Sequence, residues 1–337
     1  MPAFPPLPSG FTTRPATPED VEEIVRVAND YLEVAIGARK LSVEETQAIF
    51  TIPGFDADRS TLLVLTPEGR VAGIVLVVDL ASPPVHPQLN VFVHPSYEGR
   101  GIGTFLLAWG EERARQVLDR LPDGVRVSMQ QGVGSTHEPS NALLLSHDWE
   151  AIRYSWLMTI ELSEPPDAPD WPAGITLKTY QELPDLRAVY RATNDAFKDH
   201  WGHIDRPEEE GLKRWQHRVE TDPEFDPSVW FLAMDGDEIA GMSLCQVKMV
   251  QDPEMGFVNT LGVLRPWRRM GLGLALLQHS FVALHSRGCK RVGLGVDAGS
   301  LTGATRLYEK AGMRPVQQVT LYEKEIRPGE ELARQEL

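Results

Sequence analysis

Arg268-Arg269-Met270-Gly271-Leu272-Gly273 lies between an apolar run, Val258 to Val263, and a stretch of helical periodicity. A strand that ends in a tight turn and runs into a helix brings backbone N–H groups and the positive end of the helix dipole to one place. That is the layout of an anion site. Gly271 and Gly273 have no Cβ, so a phosphate can come close to the main chain. Arg268 and Arg269 add charged donors. Downstream, Leu274, Leu277, Phe281 and Leu284 mark the apolar face of the following helix.

A second copy lies upstream. Leu89 to Val93 reads as a strand, and His94-Pro95-Ser96-Tyr97-Glu98-Gly99-Arg100-Gly101-Ile102-Gly103 turns into a helical run. The glycine pairs are 170 positions apart. Two such loops, each between a strand and a helix, indicate an internal repeat.

The repeat extends along the chain. Ser163 to Pro172 is proline-rich, acidic and poor in residues to bury, which is the composition of a linker. It divides the sequence into residues 1–162, 163–172 and 173–337. Each half opens with a short strand, Phe11 to Arg14 or Ile175 to Lys178, and a helix. In the first half Thr17 is the N-cap and Pro18 the first helical residue. A hairpin follows, Leu62–Leu65 with Val71–Val78 or Trp230–Ala233 with Ile239–Val247. Then come the glycine loop, its helix, a strand (Val125–Met129 or Arg291–Val296), a short helix and a final strand (Tyr154–Ile160 or Gln318–Lys324). That order predicts an α/β fold, a mixed sheet with helices on both faces, built twice. Glu208-Glu209-Glu210 reads as a solvated helix start.

A chain of 337 residues has length for two cores. A formal net charge of −15 argues against nucleic-acid binding, which needs basic surface. The start of the chain carries no charged and apolar leader pattern, and no apolar run is long enough to span a bilayer, so no membrane partner and a cytoplasmic location are expected. Cys245 and Cys289 have no metal spacing and sit in apolar contexts, which predicts two buried free thiols and no bound metal. A dinucleotide fingerprint fails on spacing, because its third glycine would fall at Leu276 or Leu106.

The order of elements, the Arg268-x-x-Gly271-x-Gly273 loop and the segment Arg306-Leu307-Tyr308-Glu309-Lys310-Ala311-Gly312-Met313 resemble the GNAT superfamily of acyl-CoA-dependent N-acetyltransferases. The resemblance covers residues 11–162 and 173–326, and its two-copy form is similar to the tandem group that includes mycothiol synthase. Asn194 to Gly202 also looks like that group, whereas Phe257 stands where mycothiol synthases carry a carboxylate.

The resemblance implies acetyl-CoA as co-substrate and a small-molecule amine as acceptor. It implies that the N–H groups of Arg269, Gly271, Leu272, Gly273 and Leu274 hold the pyrophosphate with Arg268 beside them. Leu261 and Val263 would offer strand-edge groups to the pantetheine amides. Tyr308 would protonate the departing thiolate. The chemistry agrees: an amine attacking a thioester must lose a proton, and the sulfur must gain one. A tyrosine hydroxyl stays protonated at pH 7. Asp199 and His200, in the loop after the first helix of the second half, are the leading candidates for the base, followed by His203, Asp297 and Glu254. The acceptor is expected to be cationic or zwitterionic and to lie between that loop and Asp297.

The halves differ. Glu98 stands opposite Arg268, Leu144 opposite Tyr308, and Asp148 opposite Gly312. The first half is therefore expected to be a degenerate copy, with catalysis in the second. A non-catalytic acyl-CoA-binding protein is the alternative. The sequence is silent on whether the chain is a monomer or a homodimer.

Overall fold

The computed structural model describes residues 4–38, 41–204, 207–222, 224–249, 252–299 and 303–333. It contains two compact units. The first comprises residues 1–154 and 318–332, and the second 155–317 and 333–337.

In the first unit β1 (Thr12–Arg14), β2 (Thr61–Leu65), β3 (Val71–Val78) and β4 (Gln88–Val93) form an antiparallel run. β4 meets β5 (Val127–Gly134) in parallel. Helix α1 (Val21–Ile36) packs on β3 and β4, and α2 (Val43–Ile49) and α3 (Ala57–Ser60) complete that stretch of chain. Helix α4 (Ile102–Arg115) also packs on β3 and β4. A Thr17–Asp20 capping box and Pro18 begin a short 3-10 turn that runs into α1, as the sequence predicts. Helix α5 (Glu138–Leu145) follows β5.

The second unit repeats the plan. β6 (Glu150–Glu161) precedes the linker, and β7 (Ile175–Thr179) follows it. Then come α6 (Leu186–Ala196), α7 (Glu208–Thr221), β8 (Trp230–Asp235), β9 (Glu238–Gln246), β10 (Met255–Val263), α8 (Leu272–His285), β11 (Arg291–Asp297) and α9 (Ala304–Lys310), and the chain returns to the first unit in β12 (Arg314–Arg327). α8 is apolar on nearly every side, because Leu272, Leu276, Leu277 and Leu284 are all sealed in the core of this unit.

The final strands do not stay with their own halves of the sequence. Ser155–Glu161 of β6 pairs antiparallel with β11, and β12 pairs antiparallel with β5. Each sheet is thus completed by the strand that ends the other half. The acidic start of α7 is also not simply solvated. Glu208 ion-pairs with Arg187 at 2.5 Å and Arg191 at 2.9 Å, and Glu209 with Arg187 at 2.6 Å, which ties α7 to α6. Both cysteines are free and buried, as expected. Among the described residues there is no cluster of metal-ligating side chains, and no helix is long and apolar enough to cross a membrane.

Candidate active site

The site begins with a fault in β10. Its pairing with β9 is regular from Phe257 to Val258 and again from Thr260 to Val263, but Asn259 is an extra residue between them. Such a bulge bends the strand and ends pairing on one side. β10 accordingly runs parallel to β11 only from Met255/Arg291 to Val258/Leu294, and then the two strands part. The Leu264 N–H donates to the Ala240 carbonyl. By the alternation of an antiparallel ladder, Gly262 and Thr260 also bond toward β9. The main-chain groups of Leu261 and Val263 therefore point to the gap left by β11, as expected of strand-edge donors and acceptors. One of them is already engaged: Arg268 Nε donates to the Val263 carbonyl at 3.0 Å.

The loop at the end of β10 is a cradle of N–H groups. Arg269 and Gly271 have positive φ, 66° and 88°, which turns successive N–H groups to one side. Among the described residues the N–H groups of Arg269 through Gly273 have no hydrogen-bond partner. The Leu274 N–H differs from expectation: it donates to the Gly271 carbonyl at 3.1 Å and is closed to a ligand. Gly273 also has a second role, because a Cβ there would lie 3.2 Å from Leu307 and 3.6 Å from Val263. This close approach sets α9 beside the open end of β10. Gly103 and Leu143 repeat that contact in the first unit, at 3.1 Å.

Tyr308 follows Leu307 on α9. It is buried, and burial pushes its hydroxyl up to about 12. The hydroxyl makes no hydrogen bond to a described residue. It is therefore a proton donor across the working range of an enzyme.

Two expected roles need correction. Arg268 does not present its guanidinium to the anion cradle. Its nitrogens donate to the Val263 carbonyl, to the Ala196 carbonyl at 2.9 Å and to Asp199 at 2.7 Å. It fastens the end of α6 to the loop, and of the loop's two neighbouring arginines it is the exposed Arg269 that has no ion pair among the described residues. Asp199 is buried and held by Arg265 and Arg268 together, first through hydrogen bonds, so its carboxyl lies well below the ordinary range. A carboxylate so engaged is a poor proton acceptor. Asp199→Asn should lower stability by about 1.5–3 kcal/mol, the range for hydrogen bonds to charged groups. Because the folded pKa is depressed, this stabilisation is complete above about pH 4 and is lost as pH falls below it. Urea unfolding of parent and variant at pH 7 and pH 3 reads the difference, which should shrink at the lower pH.

His200 is better placed as a base. It is half-buried, with its ring 4.4 Å from that of Phe197, and desolvation followed by the Arg268 charge lowers its pKa. Its imidazole is thus neutral at pH 7. Asp297 is close enough for its charge to act on it. Glu254 lies at the opposite end of β10, ion-paired with Lys290, and is remote from the gap. α6 reaches β10 because position 262 is glycine: a Cβ there would meet Met242 Sδ at 2.8 Å and Ala196 and Phe197 at 3.1 Å.

On the other side of Phe197 lies a cavity of about 440 Å³, lined by Thr193, His200, Trp201, His203, Arg214 and Trp215 among others. The Thr193 hydroxyl is buried and unpartnered. The sequence reading missed Thr193, Arg214 and Trp215. Their only sequence signal was the helical periodicity of α6 and α7, which does not show that two helices enclose a space.

Similar proteins share this plan. The family model described as the Acetyltransferase (GNAT) family matches residues 25–131 and 186–313. A mycothiol acetyltransferase of Thermobispora bispora is 32% identical over 305 residues, covering 88% of this chain and 93% of its own. One of Salinispora tropica is 28% identical over 307 residues, covering 89% and 92%. Among solved structures, a GCN5-related N-acetyltransferase from Sphaerobacter thermophilus aligns with a TM-score of 0.79 at 34% identity, over 97% of this chain and 99% of that one. A tandem GNAT protein from the clavulanic acid biosynthesis pathway aligns with a TM-score of 0.71 at 18% identity, over 95% and 100%, and shares the fold. With the open strand edge and the N–H cradle in place, the chain belongs to the GNAT acetyltransferase family and is a tandem member of it.

Proposed function

We propose that the second unit transfers an acetyl group from acetyl-CoA to the primary amine of a small molecule. The observation that carries this reading is the parting of β10 from β11. It leaves the Leu261 main-chain groups and the Val263 N–H facing the gap, beside loop N–H groups of Arg269 through Gly273 that have no partner among the described residues, while the Val263 carbonyl accepts from Arg268. A strand edge takes up amides as an added strand would, and an N–H cradle takes up a pyrophosphate. When bound, the coenzyme supplies an activated acyl carbonyl. The chain's own part is to hold the phosphates at Arg269, Gly271, Leu272 and Gly273, with Arg269 as the available cation. The N–H of Leu261 or Val263 polarises the carbonyl. Tyr308 donates a proton to the leaving sulfur, and neutral His200 accepts one from the amine, directly or through water.

The cavity beside His200 supports the place of the acceptor: its amine would lie against His200, Trp201 and Trp215, and the molecule is cationic or zwitterionic. Calorimetric titration with acetyl-CoA, then thiol release over amines with and without a carboxylate, tests the reading. Binding without turnover on any amine would return the non-catalytic alternative.

The base gives a pH test. Since the pKa of His200 is lowered, kcat/KM for the acceptor should rise with pH through an ionisation below the ordinary histidine value of about 6.5 and be flat above it. His200→Ala should remove that limb and lower the plateau by about 10²-fold. An unchanged limb in the variant moves the base elsewhere, with Asp297 next.

A further inference from the structure

The cavity beside His200 has aromatic walls. Tyr190 and Phe197 line it from α6, Trp215 from α7, and Trp201 and Ile204 from the chain between those helices. Tyr190 meets Trp215 edge to face with ring centroids 5.7 Å apart, and Trp230 backs Trp215 at 6.0 Å. The glycine at 211 leaves room for the Tyr190 ring, whose hydroxyl a Cβ there would strike. The wall that α6 and α7 build is therefore packed before any ligand arrives, which lowers the cost of binding against it. At about 440 Å³ the cavity exceeds the roughly 150 Å³ that holds a benzene ring.

The polar groups of the cavity are few. Thr193 lines it, but its hydroxyl is sealed from solvent and so is not offered to a ligand. The basic side chains are His200, His203 and Arg214, and Arg214 is exposed. They disfavour a second ammonium group, and no carboxylate is among the described lining residues to hold one. Aromatic faces with a small number of polar groups take up an apolar body and fix its polar end. Phe197 sets how far that end must reach. Its ring lines the cavity, lies 4.4 Å from the ring of His200, and would be 3.1 Å from a Cβ at Gly262 of β10. A group in the cavity is thus separated from the gap at Leu261 by the width of this ring, about 5 Å as packed rings are spaced.

We propose that the acceptor is an arylalkylamine: its aromatic ring lies in the cavity between Tyr190, Phe197, Ile204 and Trp215, and an alkyl spacer of about two carbons carries the primary amine past Phe197 to His200. This rests on the reading of the second unit as the transferase and adds the body of its substrate.

The test has two readouts on the full chain. In the first, acetyl transfer is measured at saturating acetyl-CoA. Phenethylamine should exceed ethanolamine in kcat/KM by at least about tenfold, because its ring is buried. Benzylamine, with a shorter spacer, should fall about tenfold below phenethylamine, because its amine stops short of the gap. Trp215→Leu should raise KM for phenethylamine about tenfold with a smaller effect on kcat, and shrink its advantage over ethanolamine. Ile204→Ser, between the helices, should act in the same direction, so that a folding defect in the Trp215 variant does not decide the matter. In the second readout, the chain with labelled isoleucine methyls is titrated with the same amines. The Ile204 methyl should shift with phenethylamine at concentrations at least about tenfold lower than with ethanolamine. That shift without transfer to any amine supports the ring site and overturns the transferase reading. Transfer with no preference for phenethylamine, a preference for benzylamine over it, or an unchanged phenethylamine KM in both variants overturns the ring site and leaves the transferase reading standing.

Discussion

Tyr308→Phe should lower turnover by about 10²–10⁴-fold, the usual contribution of a positioned general acid. The coenzyme affinity should not change, because the ring that packs in the core remains. Stability should not fall either: the hydroxyl has no hydrogen-bond partner among the described residues, so its removal breaks nothing in the folded state. This combination separates catalysis from packing. A role in packing alone would show as turnover and unfolding midpoint both preserved, since the ring stays in place. The parent enzyme should also show no loss of activity from tyrosine ionisation up to about pH 10, the unperturbed value, because burial pushes this hydroxyl up to about 12. Single-turnover acetyl transfer on the best amine and denaturant unfolding, run on the same preparation, check all three statements.

Gly271→Val should weaken acetyl-CoA binding by about 10²-fold or more. Gly271 is the N-cap of α8 at φ 88°, a conformation that a β-branched residue adopts only under strain. A Cβ there would meet no atom of the described residues within 4 Å, so the chain can still fold with its core intact. What fails is the aim of the loop N–H groups and the free space in front of them. Losing two hydrogen bonds to a charged group, at about 1.5–3 kcal/mol each, accounts for that factor. Calorimetric titration reads it directly. Gly101→Val, the matching change in the first unit, should leave acetyl-CoA affinity at the parent value. If Gly101→Val destroys binding and Gly271→Val does not, the coenzyme belongs to the first unit.

Much of the fold and part of the site were legible in the chain. The two glycine loops, the strands before them, the helices after them and the hairpins upstream are local features. Turn glycines, helical spacing and alternating apolar residues specify them wherever they occur. The contrast between Tyr308 and Leu144, and between Arg268 and Glu98, is likewise a matter of residue type. So are the absence of metal spacing and the buried thiols.

What the tertiary structure alone decided is which groups meet. Alternation along a strand fixes its buried face and is indifferent to its neighbour, so nothing in Ser155–Glu161 or Gln318–Lys324 says that each pairs in the sheet begun by the other half. A bulge at Asn259 arises from the register of two strands distant in sequence, and it is this bulge that opens the edge at Leu261 and Val263. A loop arginine shows its charge in sequence but not its partner. Arg268 turns inward because folding brings it to the buried Asp199 carboxylate and to the Val263 and Ala196 carbonyls. The same meeting engages the Asp199 carboxylate in ion pairs, and desolvation lowers the pKa of the neighbouring His200, which is why His200 is the base we propose.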